Sequence, residues 1–419
     1  MTILLKSATI IDQSSPFHQK TKDILIVDGI IQEIKDNITT KKDYTIIELD
    51  NLHVSQGWFD SSVSFGEPGY EERETVTKGL EVAAKSGFTA VAVNPNTNPV
   101  IDNKASVEYL KSKAFNTATN LYPIGALTQK SKGVEMAELY DMQQSGAIGF
   151  YDYKKPVEND NLLKIALLYA QNFDGLVIDF PKNKQIAGEG VVHEGTNSTR
   201  LGLKGIPALA EEIQVSRDLF LLEYTGGKLH IPTISSAKSV ELIREAKKKG
   251  LDVTCSVAVH NLILTDDELV EFDANKKVNP PLRTKEHNKA LIEGLKDGTI
   301  DMITSDHNPI DIEEKKVEFS VGRDGTIGLE SAFSALNTVL DVATIVKNMT
   351  ESPKKRFGIE IDTIKEKNKA DLTLFTTEGT YEFSETNIIS TSKNSIFLGK
   401  KLTGKVYGII NNNQLVLNS

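Results

Sequence analysis

The chain has 419 residues, 39% of them apolar and 25% charged, with a formal net charge of −10. Acids and bases are interspersed, so no basic stripe is available to a phosphate backbone and nucleic acid is not an expected partner. No apolar run approaches the ~20 residues that span a bilayer. The opening "MTILLKSATIID" turns polar too soon for a secretory signal, and the single cysteine, Cys255, can form no internal disulfide. A cytoplasmic location with no membrane contact is the expectation.

This length favours a large domain with an accessory lobe. The first 50 or so residues read as short strands, "ILLKSATII" and "DILIVDGIIQEI", the latter turning at Asp28-Gly29 in the manner of a hairpin. The last stretch repeats that character in "ADLTLF", "GKKLTGKVYGII" and "QLVLN". One β-sandwich lobe assembled from both termini, residues 1–53 plus 360–419, is predicted, around a central domain of residues 54–359.

Within the central domain, apolar runs at "GWFDSSV", "FTAVAVN", "NLYPIGAL", "GAIGFYD", "GLVIDF", "KLHIPTI", "DVTCSVAV" and "DMITSDH" alternate with helical stretches. In "SSAKSVELIREAKKKG" a serine caps the start, Val240, Ile243 and Ala246 share a face, and Gly250 ends the helix. "YEERETVTKGLEVAAKSG" is read as a helix with acids in its first turn, Val76, Leu80 and Ala83 on one stripe, and Gly87 at its end. This alternation over roughly 250 residues is that of a (β/α)8 TIM barrel. An open doubly wound sheet is the rival, but no Gly-rich dinucleotide loop follows the first strand.

A barrel carries its site where strands end at the C-terminal face. Those ends supply Asp60, Ser62 and Ser64; Asn94 and Asn96; Asp152; Phe180; Thr233; His260 and Asn261; and Asp306 with His307. A metal hydrolase needs several imidazoles or carboxylates converging on one cation, and this inventory is thin. His230 reads as a core histidine, and His18, His53, His193 and His287 as surface or loop residues. Cys255 reads as a small buried hydrophobe. The long segment "HNPIDIEEKKVEFSVGRDGTIG" reads equally as a mobile lid or as a surface loop.

The stretches "GEPGYEERETVTKGLEVAAKSGFTAVAVNPNTNPVID", "HEGTNSTRLGLKGIPALAEEI", "KVNPPLRTKEHNKALIEGLKDGTIDMITSDHNP" and "GLESA" resemble the dihydroorotases of the multifunctional-complex type, in the amidohydrolase superfamily. The resemblance runs over nearly the whole chain. It implies a TIM barrel of the metal-dependent hydrolase type, zinc in active relatives, and interconversion of carbamoyl aspartate and dihydroorotate in pyrimidine synthesis. The family's His-x-His pair on strand one is here Ser62 and Ser64, and the carboxylate-holding arginine two residues later is Gly66. The metal histidine that opens a His-Cys-Glu-Asp run is Phe180 of "FPKN", and the last histidine of His-Ile-Ala-His is Thr233. Of the Asp-Asp-Gly run after strand four, Asp152 remains and Tyr153 replaces the second acid; the substrate-contacting histidine after strand eight is Ile310. Asp306 matches the family's ligand and proton-transfer aspartate, with His307 beside it, and Asn96 and Asn279 match substrate-contacting positions.

Neutral hydroxyls are weak zinc ligands and a phenyl ring offers no lone pair, so no metal is expected. Zinc lowers the pKa of bound water from ~15.7 to ~7, on the order of 12 kcal/mol, whereas one general base supplies about 3 to 5 kcal/mol. The expectation is a catalytically inactive homologue with a structural or regulatory task, as a homo-oligomer and as a partner of aspartate carbamoyltransferase. Two alternatives stand beside it. One is an active cyclic amidohydrolase with an atypical site built from Asp152, Asp306, His307 and His260. The other is a module that binds a pyrimidine precursor through Asn96, Asn279 and His307.

Overall fold

The computed structural model describes residues 1–418. Eight short strands, Trp58–Val63, Phe88–Val93, Asn120–Pro123, Phe150–Tyr151, Leu176–Ile178, Lys228–Ile231, Val253–Ala258 and Met302–Thr304, form the central barrel. Neighbours pair in parallel. Single bridges Gly125↔Phe150 and Val63↔His307 join the third strand to the fourth and the eighth to the first, which closes the ring. Their apolar side chains, among them Phe59, Ala92, Ile124, Tyr151, Ile178 and Met302, fill the interior. The barrel is therefore a packed core, and a site can form only at its mouth.

The helix after strand seven's predecessor spans Ala237–Lys248, with the Ser236 hydroxyl accepting from the N–H groups of Lys238 and Ser239, as its sequence predicts. The first barrel helix starts later than predicted, at Val76, because Thr75 caps it by accepting from Lys78 N, and no acid lies in its first turn. Glu71, Glu72 and Glu74 fall in the turn that precedes it. This leaves Glu74 free to reach inward.

The terminal strands are hydrogen-bonded into one continuous mixed sheet of eight, and residues from its opposite ends, Ile24 and Ile31 with Leu374 and Ile410, belong to one apolar core. His53–Gln56 lies parallel to Thr9–Ile11 and antiparallel to Leu372–Phe375, so it splices the two ends of the chain together. The lobe thus runs to Gln56, just past the predicted boundary. Asp28 and Gly29 both have positive φ, 50° and 77°, the backbone that a two-residue hairpin turn needs. At the junction with the barrel, Trp58 packs on Phe88, Phe333 and Phe375 and donates from Nε1 to the Ser55 hydroxyl at 3.0 Å.

The segment after strand eight is pinned rather than loose. Asp311 caps a short helix, Ile312–Lys315, and both Asp311 and Glu314 are gripped by Arg73. From inside, buried Lys315 donates to the Ala274 carbonyl at 2.8 Å and buried Lys277 to the Ser320 carbonyl at 2.8 Å. Among the described residues, no helix is long and apolar enough to cross a membrane.

Candidate functional site

The ends of strands one and eight build a hydrogen-bonded hub. Asp60, fully buried, accepts from the N–H groups of Ser62 at 3.0 Å and Ser305 at 2.9 Å and from the Thr304 hydroxyl. Burial still pushes its pKa up against those donors. Ser62 and Ser64 do face the same space, as alternate strand residues must. They bond neither one another nor Asp306. Instead the Asn94 amide, from the end of strand two, donates to both hydroxyls, at 3.1 and 3.3 Å.

His307 is also not a ligand-facing group. Its Nε2 meets Glu74 Oε1 at 3.1 Å, and its Nδ1 accepts from Gly328 N at 3.2 Å and Leu329 N at 3.4 Å. Both ring nitrogens are consumed in tying strand eight to the first helix and to the segment that follows. Asp152 is likewise occupied: it accepts from Thr128 N at 3.0 Å and from the Thr128 hydroxyl, bracing strand three against strand four. Neither residue is available to hold a metal or a substrate.

Asp306 is the remaining acid at the mouth. Its backbone is left-handed, φ 52°, and one carboxylate oxygen accepts from Lys154 Nζ at 2.8 Å. Its other oxygen, buried, has no partner. Burial raises its pKa, and the Lys154 ammonium opposes that rise. Lys154 occupies the third position of "DYK", where the family's Asp-Asp-Gly run has glycine. A tethered cation therefore sits on the carboxylate that binds metal in the resembled family.

The other ligand positions are filled by groups unable to bind zinc. Phe180 is buried against the interior aromatic cluster with Phe59, Tyr151 and Tyr153. Thr233, also left-handed at φ 50°, donates its N–H to Ser256 Oγ at 3.0 Å, and its hydroxyl is unpartnered. A Cβ added at Gly66 would lie 1.8 Å from the Tyr70 carbonyl oxygen, so the turn leaves no room for a side chain at the position that matches the resembled family's arginine. Among the described residues, no group of three or more His, Cys, Asp or Glu side chains could hold a metal ion. The residues present do not fit a zinc pair.

Strands four to seven leave several buried polar atoms at the mouth without partners: the Tyr153 and Thr233 hydroxyls, His260 Nε2 and Asn279 Oδ1. Asn96 Oδ1 is unpartnered as well. Tyr153 lies near Ser64 and Asp306 but in hydrogen-bond geometry with neither, and burial pushes its phenol well up. His260 is held neutral by burial and by the Lys154 charge, with its pKa down at about 3. Asn96 and Asn279 thus keep unmet amide oxygens, whereas Asp152 and His307 serve the scaffold.

Histidines elsewhere sort differently from expectation in one respect. His230 is a satisfied core residue, its Nδ1 2.9 Å from the Thr254 hydroxyl. His193 is buried and His287 partly so: their rings pack edge to face, and Arg283 donates to His193 Nδ1 at 3.1 Å while binding buried Glu211 at 3.2 Å. Cys255 is buried and its thiol is pushed up, an inert setting. Sequence reasoning missed Lys154, Lys182 and Lys277; the signal was available in "DYK" and "FPKN", where lysines stand against the family's glycine and glutamate.

A family profile described as "Dihydro-orotase-like" matches residues 53–239. A dihydroorotase of Geotalea daltonii is 40% identical over 410 residues, covering 96% of each chain. One from Caldicellulosiruptor saccharolyticus is 41% identical over 424 residues, covering 99% of this chain and 98% of its own. Among solved structures, the L-hydantoinase (dihydropyrimidinase) from Arthrobacter aurescens superposes with a TM-score of 0.84 at 22% identity, covering 99% of this chain and 96% of its own. The dihydropyrimidinase from Brevibacillus agri gives 0.83 at 20% identity, covering 100% and 95%. Full-length similarity of this order, on a closed barrel with a composite lobe, places the chain in the dihydroorotase family.

Proposed function

We propose that this dihydroorotase-family protein is catalytically inactive and serves pyrimidine synthesis as a structural or regulatory partner, with aspartate carbamoyltransferase as the partner. The observation that carries this reading is the Lys154–Asp306 ion pair at 2.8 Å. A metal bound by Asp306 would have to displace an ammonium that already neutralises it, and Ser62, Ser64, Phe180 and Thr233 offer nothing to hold that metal afterwards. Without a metal, no group at the mouth generates hydroxide at neutral pH.

Two measurements test it. Purified full-length protein, supplied with zinc or manganese and then desalted, is expected to hold well under one equivalent of metal and to leave dihydroorotate unhydrolysed above the buffer rate. Stoichiometric metal together with turnover that Asp306→Ala abolishes would sink the reading in favour of an atypical cyclic amidohydrolase. Mixed with aspartate carbamoyltransferase from the same organism at micromolar concentration, the protein is expected to co-elute in size-exclusion chromatography; separate elution would remove the partner.

A further inference from the structure

Two neighbouring barrel helices turn apolar residues away from the core. The helix Leu209–Thr225, after strand five, packs beside Asp160–Ala170, after strand four. Leu209, Ile213, Phe220 and Tyr224 fall at i, i+4, i+11 and i+15, with Ser216 in the remaining place at i+7, so they share one face. That face meets solvent: Phe220 is 69% exposed, Tyr224 79%, Leu209 50% and Ile213 41%. Ile165 and Leu168 on the shorter helix are exposed to 43% and 46%. Arg217 bonds Asp160 at 2.9 Å, and Gln171 Nε2 donates to the Thr225 carbonyl at 3.1 Å. The two helices therefore run side by side in the same direction, and Phe220 and Tyr224 stand level with Ile165 and Leu168.

The inner face of the longer helix holds the acids instead. Buried Glu211 accepts from Ser235 N at 2.9 Å and Ser236 N at 2.8 Å, and buried Asp218 accepts from Arg217 Nε at 2.7 Å. Ala210, Val215, Leu219 and Leu222 supply its apolar contact with the barrel. The core is complete without the outer stripe. At roughly 200 Å² for a fully exposed large side chain, the six outward residues present on the order of 600 Å² of apolar surface. That is the upper end of the largest patch on an ordinary monomer, ~300–600 Å². Homodimer interfaces are about 65% apolar, so such a stripe suits a face of roughly 900 Å² on each partner, the size of a stable interface.

Charge selects the occupant. With a net charge of −10, copies of this chain repel one another over most of their surface. Around the stripe the charges nearly cancel, with Lys164 and Arg217 against Asp160, Glu212 and Glu223. A strongly charged partner finds no complement there, whereas a second copy brings the same near-neutral apolar helix pair, which a two-fold axis can set against itself. We propose that two copies of this chain associate through the outward faces of Leu209–Thr225 and Asp160–Ala170.

Sedimentation velocity of the full-length protein at micromolar concentration tests it. A dimer, or a larger assembly built from dimers, is expected, and Phe220→Glu/Tyr224→Glu is expected to raise the dissociation constant of this contact about a hundredfold or more. Both side chains lie mostly in solvent, so the circular dichroism and urea midpoint of the double variant should match the parent. Leu168→Lys, on the neighbouring helix, is expected to weaken association as well and covers the case in which the double variant fails to fold. Phe115→Glu, at an 87% exposed site beside the terminal lobe, is expected to leave association unchanged. A parent that stays monomeric, or an assembly indifferent to both Phe220→Glu/Tyr224→Glu and Leu168→Lys, overturns the proposal. So does a monomer whose co-elution with aspartate carbamoyltransferase is lost in the double variant, because the face then belongs to that partner.

Discussion

The hub of Asp60, Glu74 and His307 and the group Tyr153, Thr233, His260 and Asn279 bury similar polar groups yet treat them differently, and Asp306 at the end of strand eight, with one oxygen unmet, falls with the second. Asp60, Glu74 and His307 have every oxygen or nitrogen engaged, Glu74 by His307 and by Thr391 N at 2.9 Å. Across the mouth, Tyr153, Thr233, His260 and Asn279 each keep a buried atom without a partner. Burial of an unmet polar group costs about 1 to 3 kcal/mol, so a fold retains such groups at a loss unless something outside the chain meets them. The first group braces the barrel from within; the second is met by nothing among the described residues.

This contrast can be broken most severely at Asp60. Asp60→Ala strands two backbone N–H groups and the Thr304 hydroxyl, and urea unfolding should show a loss of about 4 kcal/mol. Lys154→Met, which leaves the Asp306 carboxylate uncompensated, is expected to cost about 3 kcal/mol at neutral pH. That loss should shrink on acidification, because an Asp306 whose folded pKa is raised takes up the proton that removes the buried charge. The double variant Lys154→Met/Asp306→Asn should recover most of the stability, and failure to do so would mean that the pair acts through packing instead.

A third measurement concerns acid sensitivity. His230 is neutral when folded, its pKa held at about 3 by burial and by Arg356 and Lys247, against 6.5 for the free side chain. Between those values the unfolded chain binds the extra proton, so this residue's contribution makes stability fall as pH drops from 6.5 toward 3. His230→Asn should therefore flatten the stability profile by about 1.4 kcal/mol per pH unit between roughly pH 4 and 6. Smallest of all is Thr233→Val, which removes a buried hydroxyl that bonds nothing; stability against urea should rise by about 1 kcal/mol. A loss above ~1 kcal/mol would mean that the hydroxyl already has a partner in solution.

Much of the architecture was legible because barrel strands are short apolar runs that stop at polar residues, and because the Ser236 cap is chemistry local in sequence. The Asp28-Gly29 hairpin was legible for the same reason. The Thr75 cap was missed because the acids just before it mimic a first helical turn. What the sequence hid was pairing across the mouth. Asn94 looks like a turn residue until strand two places it opposite Ser62 and Ser64. His307 reads as a site histidine until Glu74, 233 residues away in sequence, claims it. Lys154 resembles any surface lysine, and its reach to Asp306 depends on left-handed backbone at both residues, φ 55° and 52°, which composition does not announce.

The turn at Gly66 sets a limit on redesign. With the Tyr70 carbonyl oxygen 1.8 Å from where a side chain would begin, no side chain, arginine included, fits at this position until the Glu67–Tyr70 backbone moves first. Histidines placed at the rim would therefore leave position 66 bare, and a carboxylate clamp there asks for a remodelled loop, not a single codon.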